Sequence, residues 1–204
     1  MQKVLKSLSE LATILAGHPI RDAVRDVPGG EVAVVQIKNV DVEAGVDWPT
    51  VARTHLTGKR EPDWLKTGDV IFAARGQRNV AVCVDQPPGK AVCSPHFFLI
   101  RVKDSGMALP EFVAWQMNVP KAQQYFAESA TGSYIKSIRR RVLEDLPVLI
   151  PSLEKQRLLV RLAQAAQREK QILEQLIENR RQELELVAGE LLEYVGEGVK
   201  GARP

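Results

Sequence analysis

From Ser152 to Tyr194 the chain runs without a proline, and its one glycine there is Gly189. Leu159, Ala163, Ala166, Leu173, Ile177, Leu184, Val187, Leu191 and Tyr194 recur three or four residues apart, interrupted by Lys170 and Arg180. That pattern predicts one continuous helix about 60 Å long. Ser152 suits its N-cap, and Glu154 complements the positive end of the helix dipole. A single helix cannot bury such a stripe against itself, so the pattern calls for a partner helix. Leu159, Ala166, Leu173, Ile177, Leu184, Val187 and Leu191 are therefore the candidate dimerisation residues. Residues 152–195 read as a helical spacer and dimerisation helix, and 196–204 as a flexible tail.

The first 151 residues read as an α+β head of mixed strands and short helices. Val4, Leu5, Leu8, Leu11, Ile14 and Leu15 have helical spacing and predict a first helix ending near Gly17. Glu31 to Val40 is rich in β-branched residues and predicts a strand after the Pro28-Gly29-Gly30 turn. Further strands are expected at Val70 to Ala74, at Val80 to Val84, and once or twice between Ala91 and Val102. Pro110 and Pro120 each suit the first turn of a helix, where a missing N–H costs nothing. Thr131-Gly132-Ser133 breaks the second of these helices, and Pro147 to Pro151 is a short extended exit from the head. The 45% hydrophobic content supports a packed core. Charge separates the two parts. Residues 1–151 carry 19 Lys/Arg against 16 Asp/Glu, whereas 152–204 carry 9 against 9. A polyanion is drawn to the head, not to the tail.

Motifs for chemistry are missing. His18, His55 and His96 are scattered, no glycine-rich phosphate loop occurs, and no acidic set suggests a bound Mg²⁺. A methyl donor has no obvious seat, so no cofactor and no metal is expected, and the pattern speaks against an enzyme. Cys83 and Cys93 sit in apolar stretches and read as buried reduced thiols; the nine residues between them do not fit a zinc pair. The amphipathic start is unlike a secretory signal, and no apolar run approaches the ~20 residues that span a bilayer. A cytoplasmic protein without a membrane partner is expected.

Polar clusters are more informative. Lys136, Arg139, Arg140 and Arg141 follow the Thr131-Gly132-Ser133-Tyr134 loop. Such a run can neutralise phosphates while Ser133, Tyr134 and backbone N–H groups add positioning hydrogen bonds. The plainer reading is a solvated helix face with an arginine bonded to an acid such as Glu144. The loop of Arg75, Gly76, Gln77, Arg78 and Asn79 offers side chains suited to base edges, Arg for guanine and Gln or Asn for adenine. Its plainer reading is a polar hairpin loop. Arg53, His55, Lys59 and Arg60 form a third, weaker basic group.

The order of these segments resembles the specificity subunits of type I restriction-modification systems. The likeness runs from SLSELATILAGHPI and VVQIKNVD through LKTGDVIFAARG to LPEFVAWQMNVPKAQQYF and TGSYIKSIRRRVLEDLPVLIPSLEKQRLLV. The extended PVLIP leading into a Glu-x-Gln helix start is its most specific piece. Members of that family usually hold two recognition domains and two helical spacers; this sequence has one of each. The resemblance implies a non-catalytic reader of double-stranded DNA. Its partners would be a methyltransferase (modification) subunit and a motor-nuclease restriction subunit, with a homodimer formed through the C-terminal helix. Two rival readings are a stand-alone coiled-coil dimeric DNA-binding regulator and a helical scaffold or inhibitor without nucleic acid.

Overall fold

The computed structural model describes residues 4–20, 23–57, 61–76, 78–132 and 136–200, with side chains described as far as Gly189. It divides into two compact units, Met1–Val160 and Arg161–Pro204.

The opening helix expected from sequence is not formed. Val4–Ser7 is a strand (β1), Leu8–Leu11 a single helical turn (α1), and Ala12–Ala16 a second strand (β2). The apolar run is divided between two periods. Leu8 and Leu11 are buried from the turn, and Ala12 and Ile14 are buried by strand alternation. The Glu10 carboxylate accepts the Ser7 N–H at 2.7 Å and starts the turn. Long-range partners then override local propensity, because both strands find edges to pair with. Gly17 follows directly; a Cβ there would lie 2.0 Å from the Ser94 carbonyl oxygen, so only glycine fits.

The strand expected over 31–40 is shorter. Val32–Val35 (β3) ends where Asn39 closes a 3₁₀ turn over Ile37–Asn39, its Oδ1 accepting the Gln36 N–H at 3.0 Å. Val40–Asp41 (β4) pairs with Gly45–Val46 (β5), and Arg53–Thr54 (β6) returns to β3. Val70–Ala73 (β7), Ala81–Cys83 (β8), Ala91–Cys93 (β9) and Phe97–Val102 (β10) lie where strands were expected. So do the two helices that start at proline, Pro110–Asn118 (α2) and Pro120–Ser129 (α3). The short helix Arg140–Glu144 (α4) and the strand Pro147–Ile150 (β11) complete the head.

Two larger sheets result. One is antiparallel in the order β2-β10-β7-β8; the other runs β6-β3-β9, with β3 and β9 parallel. The first sheet is covered on both faces, which explains why Val70–Ala73 is apolar throughout. Val70 and Phe72 point to a core shared with Val113, Met117 and Phe126 of α2 and α3, and with Leu143 of α4. Ile71 and Ala73 point the other way, to a core shared with Ala33, Val35 and Cys93 of the second sheet. β1 pairs antiparallel with β11, from Val4 opposite Ile150 to Ser7 opposite Pro147, and so brings the two ends of the head's chain together.

Polar groups fix two joints. Asp69, 2% exposed, takes both Arg101 nitrogens, Nε and Nη2, at 2.7 Å. Arg101 also donates to the Trp64 carbonyl at 3.1 Å, and Asp69 accepts the Lys66 N–H at 2.8 Å. The pair cross-links β10 to the turn before β7. Gly68 makes that turn possible with φ of +86°. The second joint is Gln156, fully buried near the start of the long helix Leu153–Lys200 (α5). Leaving its buried partners unsatisfied would cost roughly 1–3 kcal/mol each.

α5 begins one residue after Ser152 and continues through Lys200, beyond the expected end near Val195. Cys93 is buried and Cys83 half-buried; both are free thiols. Burial pushes the pKa of each up to about 12.

Candidate nucleic-acid interface

Two loops that lie far apart in sequence meet at one edge of the head. The β7–β8 connection holds Arg75 to Asn79, and the connection from α3 to α4 holds Thr131 to Arg139. Arg75 forms an antiparallel bridge with Ser137. The Ile138 N–H donates to the Ala74 carbonyl at 2.9 Å, and the Ile138 side chain is buried in the core with Phe126 and Leu143. Ser137 and Thr131 exchange backbone hydrogen bonds at 2.9 and 3.1 Å, which closes the second loop on itself. A buried anchor at Ile138 and the backbone bridge between Arg75 and Ser137 thus tie the described residues of both connections together.

The cations on these loops fall into two groups. Arg75, Arg78, Lys136 and Arg139 are exposed and make no ion pair with a described residue. Arg140 pairs with Glu144 at 2.8 Å and Arg141 with Asp145 at 3.5 Å, each one helical turn on. Such exposed pairs are weak enough for a phosphate to compete. The plainer reading, an arginine bonded to Glu144, therefore describes Arg140, and the other group of cations lies beside it.

Other candidates are placed differently. Asn79 spends its amide on the hairpin. Its Nδ2 donates to the Ala73 carbonyl at 2.9 Å, and its backbone carbonyl accepts the Gln123 Nε2 at 2.8 Å. Arg53 braces the turn before β3, with Nε on the Gly30 carbonyl at 3.1 Å, Nη2 on that of Glu31 at 3.2 Å, and its N–H on Asp26. His55 and His96 are exposed and His18 is buried; among the described residues no cluster of His, Cys, Asp or Glu could hold a metal. Gln77, Ser133, Tyr134, Lys59 and Arg60 lie outside the described residues.

One neighbour is hidden in the sequence. A Cβ on Gly76 would lie 3.7 Å from Cδ1 of Ile37, so the 3₁₀ turn after β3 adjoins the β7–β8 loop. Ile37 and Lys38 are both exposed there. Their β-branched surroundings point to a strand instead. The signal for the turn is Gln36-x-x-Asn39, whose amide closes it.

Along α5, Leu173, Ile177, Leu184 and Val187 are exposed, between 52% and 71%. Ala166 is exposed and Leu159 half-buried, while Leu191 lies in the helix beyond the described side chains. Leu158, Leu162, Ile172, Leu176 and Leu186 are exposed as well. Flanking charges pair along the helix, Lys170 with Glu174 and Arg181 with Glu178 and Glu185. No described helix is long and apolar enough to cross a membrane.

No protein-family model matches the chain, and no curated protein matches it. Solved structures do. The type I restriction-modification system S subunit from M. genitalium matches with a TM-score of 0.56 at 15% identity, over 89% of this chain and 43% of its own. The HsdS subunit from Thermoanaerobacter tengcongensis matches with a TM-score of 0.61 at 20% identity, over 91% of this chain and 47% of its own. A chain from a structure on complex assembly and conformational transition of the type I restriction-modification system matches with a TM-score of 0.62 at 19% identity, over 83% and 43%. The fold, mixed strands and short helices followed by a long helix, is therefore that of type I specificity subunits. The chain spans less than half the length of each.

Proposed function

We propose that a chain with this fold acts as a sequence-specific DNA-recognition subunit of a type I restriction-modification complex, and is not itself an enzyme. The observation that supports this reading most is the junction of the two basic loops. Arg75 and Arg78 on one and Lys136 and Arg139 on the other flank the bridge between Arg75 and Ser137. Four cations there, without an ion-pair partner among the described residues, supply the phosphate attraction that sequence-independent binding requires. Arginines on a hairpin also have the geometry to take the O6 and N7 of guanine. Ile37 adjoins the same edge and offers an apolar surface of the kind that meets a thymine methyl.

In this reading the chain works as a homodimer. The exposed stripe of α5 covers the same stripe on a second copy, and the two heads read inverted half-sites. The paired helices then dock methyltransferase (modification) subunits, which carry the chemistry, and a motor-nuclease subunit where one belongs to the system. Mixing the purified chain with duplex DNA across a salt series tests the binding directly. Affinity should fall steeply with salt, and the chain alone should neither cleave nor methylate the DNA with S-adenosylmethionine and Mg²⁺ present. Salt-independent or absent binding would remove the reading. Capture of a modification methyltransferase by the full chain separates it from a stand-alone regulator.

A further inference from the structure

Only Pro151 and Ser152 connect β11 to α5. A two-residue link between a strand and a long helix is a natural swivel, and Pro151 has no N–H with which to brace it. Gln156 closes that swivel. Its side chain is fully buried, although Lys155, Arg157 and Leu158 around it are exposed. Its Oε1 accepts the Leu109 N–H at 2.9 Å. Its Nε2 donates to the Met107 carbonyl and to the Pro151 carbonyl, each at 2.9 Å. One acceptor and two donors are thus spent on the loop before α2 and on the link itself. No apolar side chain of the same size can do this, and a carboxylate can supply only the acceptor.

We infer that Gln156 is the positioning residue that joins the head and the first turns of α5 into one rigid body, and thereby sets the distance at which two heads engage DNA. The second half rests on the DNA-reading proposal; the first does not. With the link clamped, a helix pair transmits a fixed spacing to the heads. With it free, each head swivels, and duplexes with neighbouring gap lengths become acceptable.

The test measures the joint and the spacing separately. The full chain carries spin labels at Glu128→Cys in the head and Arg157→Cys, exposed in the first turns of α5, diluted with unlabelled chain so that distances within one copy are read. The parent should give a narrow distance distribution, Gln156→Met a broad one, and Gln156→Glu an intermediate one, with the melting of the head retained. In the DNA arm, Gln156→Met should lose roughly tenfold in preference for its best gap length over gaps one base pair longer or shorter, while still binding an isolated half-site as before. An unchanged distribution in both variants overturns the joint. A broadened distribution with unchanged gap preference overturns its role in spacing. If the parent binds no DNA while the distribution broadens, the DNA reading and the spacing role fall and the joint stands. Should Gln156→Met fail to fold, Gln156→Glu carries both arms, since it keeps the hydrogen bond from Leu109.

Discussion

Among the described residues, Arg75, Arg78, Lys136 and Arg139 have no carboxylate partner, whereas Arg140 and Arg141 each have one. Alanine at any of the first four should lower the slope of log affinity against log salt by roughly 0.9 for each phosphate left without its cation. Alanine at Arg140 or Arg141 should change it less, because each gives up an existing pair. Salt titrations of the single variants check this. Arg101→Met is expected to destabilise the head by about 3 kcal/mol, because it leaves the Asp69 carboxylate buried without its cation. Arg101→Lys should rescue little, since one ammonium cannot reproduce the two-pronged hydrogen bond. Chemical denaturation of both variants measures the difference. The buried thiols give a further expectation. Both stay protonated up to about 12 when folded, whereas an unfolded thiol ionises near 9. Their contribution is therefore complete below pH 9 and is lost as pH rises towards 12. Stability should fall over that window, and replacing both cysteines by alanine should flatten the decline. The residue types of the basic loops are legible in the sequence; their pairing state is not. Whether a polar side chain is available to a ligand depends on the fold, as Arg53 and Asn79 illustrate by bonding to backbone carbonyls.

Elements are legible where one signal acts alone. Pro110 and Pro120 mark their helices, and Val70–Ala73 reads as a strand because both of its faces are covered. The opening segment misleads because Leu8, Leu11 and Ile14 keep helical spacing although only Leu8 and Leu11 sit in a helical turn, and the choice is made by β10 and β11, far along the chain. The long helix is the plainest element, since 48 residues contain no proline. Its exposed apolar stripe carries the assembly proposal. Ile177→Asp combined with Leu184→Asp should convert a dimer to monomer while the head keeps its melting transition, because both positions lie outside the head unit. Sedimentation at micromolar concentration, beside thermal melting, reads both effects. A monomeric parent would contradict the homodimer.

At the scale of the whole molecule, mixed strands and short helices followed by one long helix are readable from periodicity. The meeting of Arg75 with Ser137 is not, because such a bridge leaves no trace in local composition. The central claim is that this chain reads DNA as a symmetric pair of heads held apart by α5. The most direct measurement is selection of bound sequences from a pool of random duplexes by the purified full chain. The account predicts enrichment of two identical half-sites, inverted and separated by an unread gap of fixed length, with that gap shortened or binding abolished when about seven residues, one heptad of the α5 stripe, are deleted. No enrichment, or a single asymmetric site unaffected by the deletion, would contradict it.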